Sequence, residues 1–414
     1  MTVWSVRQIV GKAMLKKPIV IGASSGFEFA RGEMKSLSLF GTDSYINQMR
    51  APVNNAIGLP FTLKEDQTVD WDYVPYYEEY AKQYDQKGYT DLKKLLAFLA
   101  SKRADTKLPA DEDGIRSPFL PTKKFRIHVD RNAAIASGTV ALSDTGQIVD
   151  NIDIDIHKNN MYKSDIMLLD FIMTNNWKNP IYFSITSGPD EYLGLGRYLQ
   201  QEGLAYRLTP VRNNAMIPKG GDDKRMAVDT MYKNITTKFG WGDLDKYPNT
   251  YVDFVLARQS ENIRGVMQKL ATRLMNENKI DSAVKICDMS LKYIPETDVP
   301  YQYYYNIVPA VEIYFKAGKK EEARKLANRL ADVYTEELKY YAEASKNKSM
   351  EQDLYNFQRI PLATAALNYL VQIAKQNNET QLLNKVKPEA DNYNTIFPQE
   401  NQQQQDQGQD QGAD

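Results

Sequence analysis

Asp153, Asp155 and His157 alternate with Ile152, Ile154 and Ile156. An extended chain therefore puts two carboxylates and an imidazole on one face and the isoleucines on the other. Carboxylate oxygen and imidazole nitrogen are ordinary donors to a divalent cation, which makes these three side chains the candidate metal ligands. The solvated face of an amphipathic strand accounts for the same letters. His128 is the other of only two histidines, so a Ser-His-Asp triad would have to use one of them, and neither sits in a nucleophile motif. The run Ile19-Val20-Ile21-Gly22-Ala23-Ser24-Ser25-Gly26 has the strand-to-glycine turn of a dinucleotide site. Glu28 takes the place of the third glycine and would repel a pyrophosphate, so no cofactor is expected. The single cysteine, Cys287, excludes an intrachain disulfide and a cysteine-based zinc cluster.

A second group of residues suits binding rather than bond-making. Trp177, Tyr182 and Phe183 flank an Asn179-Pro180 turn into a β-like run, where they either pack in a core or offer a stacking surface. The loop that follows, residues 186–190, holds Thr186, Ser187 and Asp190. It occupies the strand-end position where open α/β sheets take ligands, with a helix expected to open at Gly188-Pro189 and run to Leu199. Tyr301, Tyr303, Tyr304 and Tyr305 cluster at the start of a helical segment, in a chain with 27 tyrosines. Flat amphipathic rings of this kind suit a peptide or a glycan.

The elements that must position these groups fall into two textures. Residues 1–250 alternate short β-branched runs with helical patterns and carry most of the Gly and Pro punctuation, which predicts an α/β region. Strands are expected at residues 18–21, 125–129, 152–156, 181–185 and 206–211, and helices at 91–102 and 164–175. Residues 107–121, rich in Pro, Asp and Gly, read as an exposed loop. Residues 255–398 carry long amphipathic patterns and an internal repeat: Asn278-Lys279-Ile280-Asp281-Ser282-Ala283 aligns with Gly318-Lys319-Lys320-Glu321-Glu322-Ala323. The expectation is an all-α domain of tetratricopeptide-like helical hairpins, with a third, degenerate pair around Asn377-Asn378. Residues 399–414, rich in Gln, Gly and Asp, cannot repay their ordering entropy and are expected to be a disordered tail.

With 52 Lys+Arg against 53 Asp+Glu the net charge is −1, and no basic stripe is present, so nucleic acid is not an expected partner. The apolar runs are far shorter than a spanning helix requires, and residues 1–21 lack the apolar core and cleavage site of a secretory signal.

Several separated segments share one resemblance. Asn175-Asn176-Trp177-Lys178-Asn179-Pro180-Ile181-Tyr182-Phe183-Ser184, followed by residues 192–211, resembles the C-terminal region of a Bacteroidetes family of large multi-spanning membrane proteins of unknown function. Leu37-Ser38-Leu39-Phe40-Gly41-Thr42-Asp43-Ser44-Tyr45-Ile46-Asn47-Gln48-Met49 is similar to that family's segment after its last membrane span. Pro121-Thr122-Lys123-Lys124-Phe125-Arg126-Ile127 and Ser137-Gly138-Thr139-Val140 fit the stretch between. The family's membrane region resembles protein O-mannosyltransferases of the GT-C class, which use a lipid-linked sugar. The resemblance assigns no catalytic residue to these 414 residues. It implies a soluble accessory region on the periplasmic side of the inner membrane, non-catalytic, with a membrane-embedded glycosyltransferase-like region as partner and a peptide or glycan as ligand. The residues leave two alternatives open: an independent soluble enzyme using the 186–190 loop, with metal assistance as one form of it, and a purely structural domain.

Overall fold

The computed structural model describes residues 19–22, 35–38, 73–84, 88–185, 192–215, 225–241, 243–247, 249, 251–345 and 354–398. The chain forms two compact units, Met1–Gly240 and Trp241–Asp414.

The first unit opens with β1 (Ile19–Gly22), β2 (Lys35–Ser38) and β3 (Tyr73–Pro75), then α1 (Glu78–Ala81), β4 (Thr90–Asp91) and α2 (Leu92–Ala100). It continues through β5 (Lys124–His128), α3 (Arg131–Ala136), β6 (Asn151–Asp155), β7 (Asn160–Tyr162), α4 (Lys163–Asn175) and β8 (Ile181–Ser184). β9 (Leu199–Gln201), β10 (Ala205–Leu208), β11 (Arg225–Met226) and α5 (Val228–Lys233) complete it. The strands make a mixed six-stranded sheet in the order β11-β9-β10-β8-β1-β2, a three-stranded sheet β4-β5-β6 and a ribbon β3-β7. β5 and β6 pair antiparallel with Phe125 opposite Ile154 and Ile127 opposite Ile152. These apolar residues are buried while Arg126 and Asp153 face the other way, so period-two alternation has sorted the strands into a core face and a polar face. Leu92, Leu95, Leu96 and Leu99 of α2 and Ile166, Leu169, Phe171 and Ile172 of α4 close the same core. Helix α2 begins at Leu92, one residue later than the 91–102 expectation, because Asp91 caps it, its carboxylate accepting from the Lys93 and Lys94 amides.

Two expectations are corrected here. Residues 107–121 are not wholly exposed: Phe119 and Leu120 are each 1% exposed, with the Phe119 ring 5.4 Å from that of Phe98. No α-helix spans the described part of 188–199. Leu193 at φ 47° and Gly194 at φ 80° are in the left-handed region, which ends any helical run, and a 3-10 turn at Gly196–Tyr198 precedes β9.

The second unit is all-helical: α6 (Phe254–Asn276), α7 (Ile280–Tyr293), α8 (Val308–Lys316), α9 (Lys320–Ala344), α10 (Leu354–Gln376) and α11 (Thr380–Ile396). Packing joins α6 with α7, α8 with α9 and α10 with α11. Each hairpin turns on one left-handed residue: Asn278 at φ 60°, Gly318 at φ 76° and Asn378 at φ 56°. The next amide then reaches back to a carbonyl five residues earlier, Lys279 to Leu274, Lys319 to Tyr314 and Glu379 to Ala374. This is the αL helix stop that favours glycine and asparagine. Ala323, Leu326, Ala327, Leu330 and Tyr334 of α9 are buried along one stripe, as their spacing requires. No helix among the described residues is long and apolar enough to cross a membrane.

Candidate functional site

The tyrosine cluster lies in the connection between α7 and α8, which is held by charges rising from below. Arg264 and Glu261, one turn apart on α6, are a buried ion pair, with Arg264 0% exposed. Arg264 donates to the carbonyls of Ile294 at 3.0 Å, Val299 at 2.7 Å and Pro300 at 3.4 Å. Its guanidinium also lies 4.9 Å from the centre of the Tyr301 ring. Asn306 donates to the Glu261 backbone carbonyl at 3.2 Å and to its carboxylate at 3.0 Å. A buried charge pair is tolerable only when its remaining hydrogen-bonding capacity is met, and here the connection's own carbonyls meet much of it.

Above this base Tyr301 is buried, and burial pushes its hydroxyl up to about 12. Tyr303 and Tyr305 stack with ring centres 5.5 Å apart, Tyr304 meets Tyr305 edge-on at 5.6 Å, and Tyr305 is 51% exposed. The side of the cluster is held by α10: Arg359 donates to the Gln302 carbonyl and, at 2.6 Å, to Glu337 of α9. Burial raises the Glu337 carboxyl above its ordinary range, against the pull of Arg359. Tyr369 donates to Glu312 at 2.9 Å, and its hydroxyl is pushed up to about 12, chiefly by burial. The result is a surface of tyrosine rings with Tyr305 its exposed face, the adjacent charges being engaged with one another.

The other residues singled out from the sequence occupy different surroundings. Asp153 accepts two hydrogen bonds from Arg126, at 2.6 and 2.8 Å, Asp155 accepts from the Tyr89 hydroxyl at 2.9 Å, and His157 is exposed beyond the end of β6. His128 bridges Asp91 at 2.8 Å and Asn151 at 2.6 Å. Among the described residues no three His, Cys, Asp or Glu side chains converge as a metal site would require. Trp177 and Tyr182 are 4% and 3% exposed, so neither presents a stacking face. Tyr182 instead accepts from Arg207 at 2.9 Å and contacts Glu202 at 3.3 Å. Burial raises the Tyr182 hydroxyl and the Glu202 carboxyl. Thr186, Ser187 and Asp190 lie outside the described residues. Cys287 is buried and its thiol is pushed up to about 12 by that burial, which leaves it protonated at neutral pH.

Glu261, Arg264 and Asn306 were not singled out from the sequence. Their signal is nonetheless there: Glu261, Arg264 and Gln268 fall on the stripe of α6 that also holds Ala271 and Met275, where polar side chains need a partner.

Residues 31–230 match the family model described as TMEM260-associated domain 2, a span that includes the segments around Leu37, Pro121 and Asn175 quoted above. Neither the curated proteins nor the solved structures contain a match. The stretch from 31 to 230 is thus a TMEM260-related domain, and it falls within the first unit.

Proposed function

We propose that this chain is a non-catalytic, extracytoplasmic accessory region of a membrane glycosyltransferase-like protein, and that its helical unit binds a glycan on the Tyr303–Tyr305 surface. The observation that carries the binding site is the stacked pair with Tyr305 half-exposed beside ion-paired charges. An aromatic face of this kind takes up the C–H face of a sugar ring, while nearby tyrosine hydroxyls exchange hydrogen bonds with its hydroxyls. A charged ligand would have to break the Arg359–Glu337 pair first. The placement beside a membrane protein is supported by the family match at residues 31–230 and by the order of the resembling segments.

A glycan array probed with the full chain and with Tyr305→Ala tests the reading. Enrichment of neutral glycans by the wild-type chain, lost in Tyr305→Ala, is expected. Equal signals from the two, or no enrichment of any neutral glycan by the wild-type chain, would remove the glycan assignment.

A further inference from the structure

A binding loop between two helices has no regular hydrogen-bonding ladder, so its shape must come from elsewhere. The connection from 294 to 306 is tied to a single turn of α6 at several points. Arg264 takes the carbonyls of Ile294, Val299 and Pro300, and Glu261 takes the side chain of Asn306. Between those anchors stand the tyrosines, and within the far anchor the Asn306 amide donates to the Tyr303 carbonyl at 2.9 Å and the Ile307 amide to that of Tyr304 at 3.0 Å.

One residue of α6 shows how close this approach is. Gly265 lies in the middle of a 23-residue helix, where alanine is the better helix former. A Cβ at that position would stand 2.5 Å from Asn306 Oδ1 and 3.0 Å from its Cγ. Asn306 has little room to withdraw, because its amide nitrogen already bonds the backbone and the carboxylate of Glu261. The glycine therefore marks a contact that helix propensity opposes and loop placement requires.

We infer that Glu261, Arg264, Gly265 and Asn306 are positioning residues for the tyrosine surface, setting its ligand affinity from beneath without touching the ligand. This rests on the Tyr303–Tyr305 surface being the binding site. Adding one methyl group at 265 favours the helix but drives into Asn306, so the change is felt first in the loop and in the partners of the buried Glu261–Arg264 pair.

Gly265→Ala in the full chain is the test. Its thermal unfolding should be lowered, because the clash and the loosened partners of the buried Glu261–Arg264 pair outweigh the helix propensity gained; exchange at the Asn306 and Ile307 amides should accelerate about tenfold or more beyond that of the other described amides of the unit, and affinity for the array-selected glycan should fall about tenfold. Asn306→Ala removes the clashing atoms. In that background Gly265→Ala should add no further acceleration, whereas a merely structural role would show the two effects adding. Exchange at Asn306 and Ile307 equal to wild type in Gly265→Ala would overturn the inference. The exchange readout needs no ligand, so a wild-type chain that binds no glycan removes the function proposed above while the amides still decide whether α6 positions the loop.

Discussion

Arg324 illustrates how a single side chain couples two hairpins of the helical unit. It reaches from α9 to Glu379, in the turn that opens α11, with hydrogen bonds of 2.8 and 3.1 Å. These bonds hold the Glu379 carboxyl below its ordinary range. A carboxyl lowered by folding contributes stability above its unfolded pKa and loses that contribution as pH falls through its folded value. The wild-type chain should therefore be more stable than Glu379→Gln at pH 7, and the gap should close on acidification below the usual glutamate range. Thermal melts of both proteins between pH 7 and pH 3 check this, and a gap that widens toward low pH would contradict it. At this same scale the sequence was only partly legible. Alternation marked the Asp153 and Asp155 face, but Arg126 and Tyr89, the side chains that engage it, come from distant positions. The aromatic residues Trp177 and Tyr305 look equally suited to stacking in a list of letters. Burial separates them, and burial follows from packing that no local pattern records.

Among the elements, the helical hairpins were the most legible because their stop signal is local. Asn278 and Gly318 begin aligned runs, and Asn378 marks the third turn, since each fills a left-handed position that most residues resist. A Cβ added at Gly318 would meet nothing within 4 Å, so the cost of a side chain there is confined to the backbone. Gly318→Ala should destabilise the chain by about 1 kcal/mol, and Gly318→Asn by less, as asparagine tolerates this region better. Urea unfolding of both variants provides the measurement, and an Ala variant as stable as wild type would refute the assignment of the turn. In the described part of 188–199, where a helix was expected, left-handed residues stand instead. The apolar spacing suits a helix, but Leu193 and Gly194 turn left-handed where Gly194 passes the backbone carbonyl of Asp155. The glycines at 194 and 196 are the local signal against a helix there, one that the apolar spacing masks.

For the whole molecule, an α/β region and an all-helical region were both evident from the change in texture along the chain, and the domain at 31–230 carries the family relationship. In the proposed role the two units serve different parts: the first carries the family match, and the second the surface to which ligand binding is assigned. That surface offers a stacked aromatic pair with Tyr305 exposed. The most direct test is calorimetric titration of the full chain with the glycan selected by the array, comparing wild type with Tyr305→Ala and Tyr162→Ala. Tyr162 is the control because it is 60% exposed and lies in the first unit. Tyr305→Ala should lose about 1–3 kcal/mol of binding free energy, in keeping with removal of one stacking aromatic, while Tyr162→Ala stays within about twofold of wild type. A Tyr305→Ala chain that binds as tightly as wild type, or a Tyr162→Ala chain that loses as much, would contradict glycan recognition by the tyrosine surface.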